Sequence, residues 1–352
     1  MHSSRPDLKS LPKVLLHEHL DGGLRATTLF DLLRARGIEA PAPTVAGLVA
    51  WLEARAHAGS LVEYLRGFDL TVAAMASADA LERVAFEAVE DAHRDGCVLA
   101  EFRIAPILFE AHGVDADAAV EALTAGLRRG SAATGVPSGL IVCGMRQQTE
   151  AEVAYSADCA LRHRDAGVIG FDLAGPEAGF PATRHASALA RVRDAGLAIT
   201  LHAGEADVAE RVVEAARLGA TRIGHGVRLA DALGDPQRAP LIDEVLRRDL
   251  HLEVCPTSNV HTGAATSLAT HPIRALWAAG ISLSFHTDNA LISGVTMVDE
   301  ASGLIDEAGF GERDLVRMAL LAADHSFLPD ADRARARERI GAWATTRGFD
   351  TV

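Results

Sequence analysis

Val14-Leu15-Leu16-His17-Glu18-His19-Leu20-Asp21-Gly22-Gly23 is a short apolar run that ends in two histidines two positions apart. In a β-strand, residues i and i+2 point to the same face. His17 and His19 can therefore offer both imidazoles to one metal ion, with Asp21 and the glycines opening the loop beyond. A lone His-x-His is more often a pair of partly buried polar residues than half of a metal site. What decides the reading is repetition: the chain keeps returning to an apolar strand that ends in His, Glu, Asp or Asn.

Those returns begin at residue 97. Runs at 97–104, 139–145, 168–175, 197–205, 222–226, 251–256 and 281–289 are apolar and strand-like. Between them lie helical patterns at Asp115–Ser131, with an Asp cap, and at about 148–165, 183–195, 206–219, 239–248 and 271–279; residues 298–346 finish as helices. With the first strand this makes eight strands alternating with helices. Near-continuous apolar strands joined by helical crossovers predict a parallel sheet covered on both faces. Eight units predict an α/β fold of the closed (β/α)8 TIM-barrel type, with a helical insertion after strand 1 and extra C-terminal helices. A doubly wound open sheet is the alternative, but no G-x-G-x-x-G follows the first strand.

The insertion, about residues 25–95, is too long for a simple βα connection. Its helical patterns are broken at Gly37, Pro41, Pro43 and Gly59-Ser60. It leaves directly from the His17/His19 loop, so it is either packing or a lid. Nothing in the chain reads as a linker, and a single hydrolase barrel spanning 1–352 is expected.

Composition excludes several classes. Of the 352 residues, 49% are hydrophobic and 23% charged, which marks a soluble globular chain able to bury a large core. The formal net charge of −14 argues against nucleic acid or an anionic membrane as partner. No secretory leader or 18-residue apolar run is visible. Cys97, Cys143, Cys159 and Cys255 lack C-x-x-C spacing, which suits reduced thiols in a cytoplasmic compartment. Oligomeric state is not legible.

The polar residues fall at the C-terminal ends of the strands: His17/His19, Arg103, Asp172/Gly175, His202/Glu205, His225 and Asp288/Asn289. A parallel barrel gathers those ends on one face, where active sites of this fold lie. One strand-end histidine is ordinarily a hydrogen-bonded structural residue; several strands ending this way are not. Three imidazoles, from His17, His19 and His202, with the carboxylate of Asp288, form an N/O set suited to zinc, one ion per chain, although iron, manganese or cobalt also fit. A water on such an ion would have its pKa lowered toward about 7. Glu205 is either a helix-start acid or a general acid beside the metal, and the site context favours the second. His225 is a candidate base or charge stabiliser.

His17-Glu18-His19-Leu20-Asp21-Gly22, His202-Ala203-Gly204-Glu205, Gly224-His225-Gly226, Glu253-Val254-Cys255-Pro256-Thr257-Ser258-Asn259 and Thr287-Asp288-Asn289, in this order over residues 12–300, resemble the motif series of the adenosine deaminase family of metal-dependent amidohydrolases. The resemblance implies zinc on His17, His19, His202 and Asp288, with Glu205 protonating the purine N1 and His225 orienting and deprotonating water. Substrate contacts would come from His19, from Asp21 to the ribose 5′-hydroxyl, and from the Gly175 backbone to N3. The implied reaction is hydrolytic deamination of adenosine and 2′-deoxyadenosine in purine salvage. One departure stands out: many members carry two adjacent aspartates where this chain has Asp288-Asn289. The second position faces N7, an acceptor, and an asparagine amide donates to it at every pH. Adenine or aminodeoxyfutalosine are the alternatives within the class, and a non-catalytic binding barrel lies outside it. The intact ligand set and Glu205 argue against the latter.

Overall fold

The computed structural model describes residues 7–56 and 61–349, with 61–66 described by backbone alone; the Gly59-Ser60 break and the first six residues lie outside that range. Eight parallel strands pair in sequence order: β1 (Lys13–Leu15), β2 (Cys97–Ile104), β3 (Ser138–Met145), β4 (Val168–Ala174), β5 (Ala198–Ala203), β6 (Arg222–His225), β7 (His251–Val254) and β8 (Ser282–Phe285). The seam between β8 and β1 is joined just past the strand ends. There Glu18 bridges to Asp288, while on the other side of β1 His19 bridges to Arg103 of β2. The His19 N–H donates to the Asp288 carbonyl at 2.7 Å, and the Asp288 N–H to the His17 carbonyl at 2.9 Å. Below them the Leu16 N–H donates to His286 Nδ1 at 3.1 Å. The barrel is thus pulled shut at the His-x-His motif itself.

Helices surround the strands, as the alternation predicts. Their starts follow capping chemistry: Asp115 accepts the Asp117 and Ala118 N–H groups ahead of Ala116–Thr134, and Thr149 with Glu152 forms a capping box ahead of Glu150–Arg162. One boundary differs from the sequence expectation. The helix Ala78–Arg94 packs along Ala116–Thr134 and against β2, so it is the barrel's own crossover helix and the insertion ends near residue 76. Close approach explains the pairing: a Cβ at Gly130 would lie 2.7 Å from Val89 Cβ. The insertion proper comprises Ala26–Ala35, Val45–Ala56 and Leu61–Met75.

At the other end, Glu312–His325 packs on β8 and β1 and completes the helical ring. With Asp330–Thr346 it buries Val316, Ala319, Ala323 and Ile340 against Val14, Leu16, Val98 and Leu99, covering the outer face of the first strands. All four cysteines are buried and unpaired. No helix among the described residues is long and apolar enough to cross a membrane.

Candidate metal centre and substrate cavity

Strand parity brings the side chains together. His17 and His19 lie just past the end of β1, His202 lies on β5, and Asp288 lies three residues past the end of β8; their ligand atoms all lie within 4.8 Å of one another. His19 Nε2 is 3.2 Å from His202 Nε2, and Asp288 Oδ1 is 3.4 Å from His17 Nε2 and 3.6 Å from His19 Nε2. Zinc bonds of about 2.0–2.1 Å in a tetrahedron give edges of ~3.3 Å. His17 Nε2 is buried and has no hydrogen-bond partner, which leaves its lone pair free to ligate a cation. Burial holds the His19 pKa well down, favouring the neutral ring that ligates a cation. The residues therefore fit a divalent metal. Another Asp–Cys–His group, Asp117, Cys159 and His163, fits less well, because Arg162 already donates to both oxygens of Asp117.

Beneath the ligands is a layer that the sequence reading assigned only in part. His17 Nδ1–H donates to Glu253 Oε2 at 2.8 Å, and His202 Nδ1–H to Asp172 at 2.9 Å. Placing the proton on Nδ1 leaves the Nε2 lone pair free for the metal. Arg103 joins the two carboxylates, donating to Asp172 at 2.8 Å and Glu253 at 2.6 Å. Arg222 donates to the other oxygen of Glu253 at 2.6 Å and pairs with Glu101 at 2.7 Å. Burial would raise the Asp172 pKa, but the adjoining His202 ring and Arg103 hold it well below the usual carboxylate range. Arg103 and Arg222 do the same for Glu253 against the same burial. Arg103 and Asp172 are thus fully buried supports under the site, whereas the sequence placed them among the strand-end polar residues on its face.

Above the ligands opens a cavity of about 240 Å³. Its lining includes His19, Asp21, Gly175, Glu205, His225 and Asn289, and His17, His202 and Asp288 lie in the ligand cluster, whereas Arg103 and Asp172 reach neither. Phe68 and Asp69, from the helix Leu61–Met75, also line it, so the insertion covers the mouth. Gly175 has φ of +96° and abuts the Gln147 side chain, where a Cβ would overlap the Gln147 amide oxygen. A Cβ at Gly22 would likewise overlap Asn289 Oδ1. Asp21 is buried, burial pushes its pKa up to about 7, and its Oδ1 has no partner.

Glu205 and His225 face each other, with Glu205 Oε2 3.6 Å from His225 Nε2. The Thr262 hydroxyl donates to Glu205 Oε1 at 2.9 Å. Asn259 Nδ2 lies 3.0 Å from His225 Nδ1, an arrangement in which His225 carries its proton on Nε2 and can donate toward developing negative charge. If the Asn259 amide turns over, its oxygen, otherwise without a partner, takes up Nδ1–H and leaves Nε2 as a base. His225 and Asp288 are two of three non-glycine residues with positive φ, both +64° among the described residues; such backbone concentrates at functional sites. Glu205 does not begin a helix as the sequence suggested. The helix starts only at Glu210, and the buried Glu177 carboxylate takes the N–H groups of residues 204–207 ahead of it.

Thr262, Asn259, Glu253 and Glu177 carry no role in the sequence reading. Glu253, Glu101 and Arg222 did leave a signal: charges of both signs inside apolar strands must find one another.

Comparison with known proteins agrees with this geometry. The family described as "Adenosine deaminase" matches residues 12–343. A protein of Mycobacterium sp. (strain JLS) named "Adenosine deaminase" is 41% identical over 339 residues, covering 93% of each chain. Among solved structures, an adenine deaminase from Arthrobacter aurescens superposes with a TM-score of 0.87 at 25% identity, covering 95% of this chain and 99% of that one. The arabidopsis N6-mAMP deaminase gives 0.82 at 26%, covering 95% and 99%. Strand order, site and relatives converge: the chain is a hydrolytic deaminase and belongs to the adenosine deaminase family.

Proposed function

We propose that the substrate is a 6-aminopurine nucleoside, adenosine or 2′-deoxyadenosine, which water converts to the 6-oxo nucleoside and ammonia. The observation that carries this reading is the polarity of the cavity. The ligand cluster and Glu205 lie along it, Asp21 offers an unpartnered carboxylate oxygen, and neither Lys nor Arg is present among the described lining residues. A 5′-monophosphate would bring about two negative charges toward Asp21 and Asp69 with no Lys or Arg among the described lining residues to receive them. A sugar hydroxyl instead donates to a carboxylate, a bond worth about 1.5–3 kcal/mol.

Zinc fits the four ligands, and when bound it would supply the Lewis acidity that activates water at neutral pH. The chain's own groups do the rest. Protonated Glu205 donates to N1, making C6 electrophilic. Thr262, by occupying Oε1, directs that proton to Oε2, on the His225 side. His225 takes the water proton or stabilises the oxygen that forms on C6, according to the Asn259 amide. Asn289 donates to N7 and the Gly175 N–H to N3, so the ring is read on three nitrogens. His19 has an edge on the cavity and contacts the substrate beside the ion.

Free adenine, the substrate named for the Arthrobacter relative, is the competitor. Ammonia release from adenosine, deoxyadenosine, adenine, AMP and aminodeoxyfutalosine decides between them. Adenosine should exceed adenine and AMP in kcat/KM by about 10²-fold or more, as loss of remote binding reduces both affinity and orientation. In Asp21→Ala, adenosine and 5′-deoxyadenosine should become equivalent. Equal turnover of adenine and adenosine by the wild type would overturn the nucleoside assignment.

A further inference from the structure

The loop that carries Glu205 has an unusual partner. Glu177, three residues beyond the end of β4 and only 5% exposed, accepts four successive backbone N–H groups. Gly204 donates to Oε1 at 2.6 Å; Glu205, Ala206 and Asp207 donate to Oε2 at 3.0, 2.8 and 3.1 Å. Successive N–H groups converging in this way form a nest for an anion. The carbonyl side of the same loop is held from the next strand unit. The Arg228 N–H donates to the Gly204 carbonyl at 2.8 Å, and its Nε–H to the Glu205 carbonyl at 3.3 Å. The Glu177 side chain is absent from the cavity lining, so it does not meet substrate.

The nest sits where the sequence pattern would begin a helix. Residues 206–219 carry a helical pattern, yet the helix observed is Glu210–Arg217. The N–H groups that Glu177 captures are those that a helix starting at 206 would leave at its first turn. Glu177 therefore anchors the bent segment through its own N–H groups, and from that loop Glu205 meets Thr262 and faces His225.

We infer that Glu177 is a positioning residue for the general acid, fixing the Glu205 loop in its catalytic conformation through the four-donor nest. The inference rests on the reading of Glu205 as the acid. It predicts a loss confined to steps that need Glu205. In Glu177→Gln the amide oxygen can still accept on one side while the NH2 faces a backbone donor, so the loop shifts without an unfilled space. A misplacement on the ångström scale at a reacting group costs about 10²-fold.

The test is a double-mutant cycle of Glu177→Gln with Glu205→Gln, measuring kcat, KM for adenosine and bound zinc. Glu177→Gln alone should lower kcat by about 10- to 100-fold with zinc content and KM within about twofold. In the Glu205→Gln background the same change should alter the residual rate by no more than about threefold, since a residue acting through another has nothing left to act on. An equal loss in both backgrounds, or a loss matched by missing zinc, overturns the inference in favour of general support of the barrel. If Glu177→Gln does not fold, Glu177→Asp, which keeps the charge but not the reach, is carried through the same cycle against the same expectations. Near-wild-type turnover by Glu205→Gln would be a different failure: it removes the acid assignment itself, and this inference with it.

Discussion

Replacing Glu253 with glutamine separates the metal centre from the scaffold beneath it. Its carboxylate accepts from His17 Nδ1, Arg103, Arg222 and the Thr200 hydroxyl, at 2.8, 2.6, 2.6 and 2.8 Å. A glutamine of the same shape offers one oxygen to four donors. Oriented toward Arg222 and Thr200, it turns its NH2 on His17 and Arg103; the His17 proton then moves to Nε2, the atom needed for the metal. Losing an outer partner of a ligating histidine costs about 10–100-fold in metal affinity. Arg103 keeps Asp172 and Arg222 keeps Glu101, so the loss of folding stability should approach, and not exceed, the ~3–5 kcal/mol of a broken buried ion pair. Competition with a chelator of known zinc affinity measures the first quantity, and thermal unfolding of metal-free protein the second. Thr200→Val is the control: it removes one neutral donor to the same carboxylate, for about 1 kcal/mol, and should leave zinc affinity unchanged. If Glu253→Gln destabilises the fold but binds zinc within twofold of the wild type, the carboxylate does not set the His17 tautomer and the reasoning fails.

Two further outcomes follow from crowding and burial. Gly22→Ala places a methyl where Asn289 Oδ1 now lies, so it should reproduce Asn289→Ala. Each should lose about 1–3 kcal/mol of binding for adenosine, and little further for 7-deazaadenosine, which lacks N7; inhibition constants for both ligands check this. Glu300 is buried, and burial pushes its pKa up to about 8 from an ordinary 4.5, against the Thr257 N–H that it accepts at 3.0 Å. Between those values the native state holds a proton that the unfolded state has released, so stability declines as pH rises. Glu300→Gln removes that decline. Its melting temperature relative to wild type should therefore climb between pH 5 and pH 8, and a gap independent of pH would show that Glu300 is ionised in the fold throughout.

Much of the barrel was legible because strand-end polarity is local: His17 and His19 share a face whatever they meet, and so do the residues ending β5 and β8. Contacts between distant segments were not. Glu177 lies in a Gly-Pro-Glu-Ala-Gly turn that looks like any solvated loop, yet its partners are 27–30 positions away. The helix expected from 206 begins at Glu210, and the bent segment before it is bonded to that same distant residue. Ala78–Arg94 was assigned to the insertion because periodicity marks an amphipathic helix without saying which layer receives its apolar face. The turns at His225 and Asp288 adopt left-handed backbone, which His and Asp accept more readily than most residues but which nothing in their neighbouring sequence demands.

The seam of the barrel has a consequence for how the protein is made. Leu16 and His286, bonded across it, are 270 positions apart, and the candidate ligands His17 and Asp288 lie just beside them. During synthesis the first two candidate ligands leave the ribosome long before the last, so the nascent chain can offer a metal the His-x-His pair and later His202, but not yet the Asp288 carboxylate. Full coordination must wait for the eighth strand, which also draws the ring shut. Capture of the ion and completion of the barrel are therefore a single late event, and a chain cut short before residue 288 should neither retain zinc tightly nor resist proteolysis.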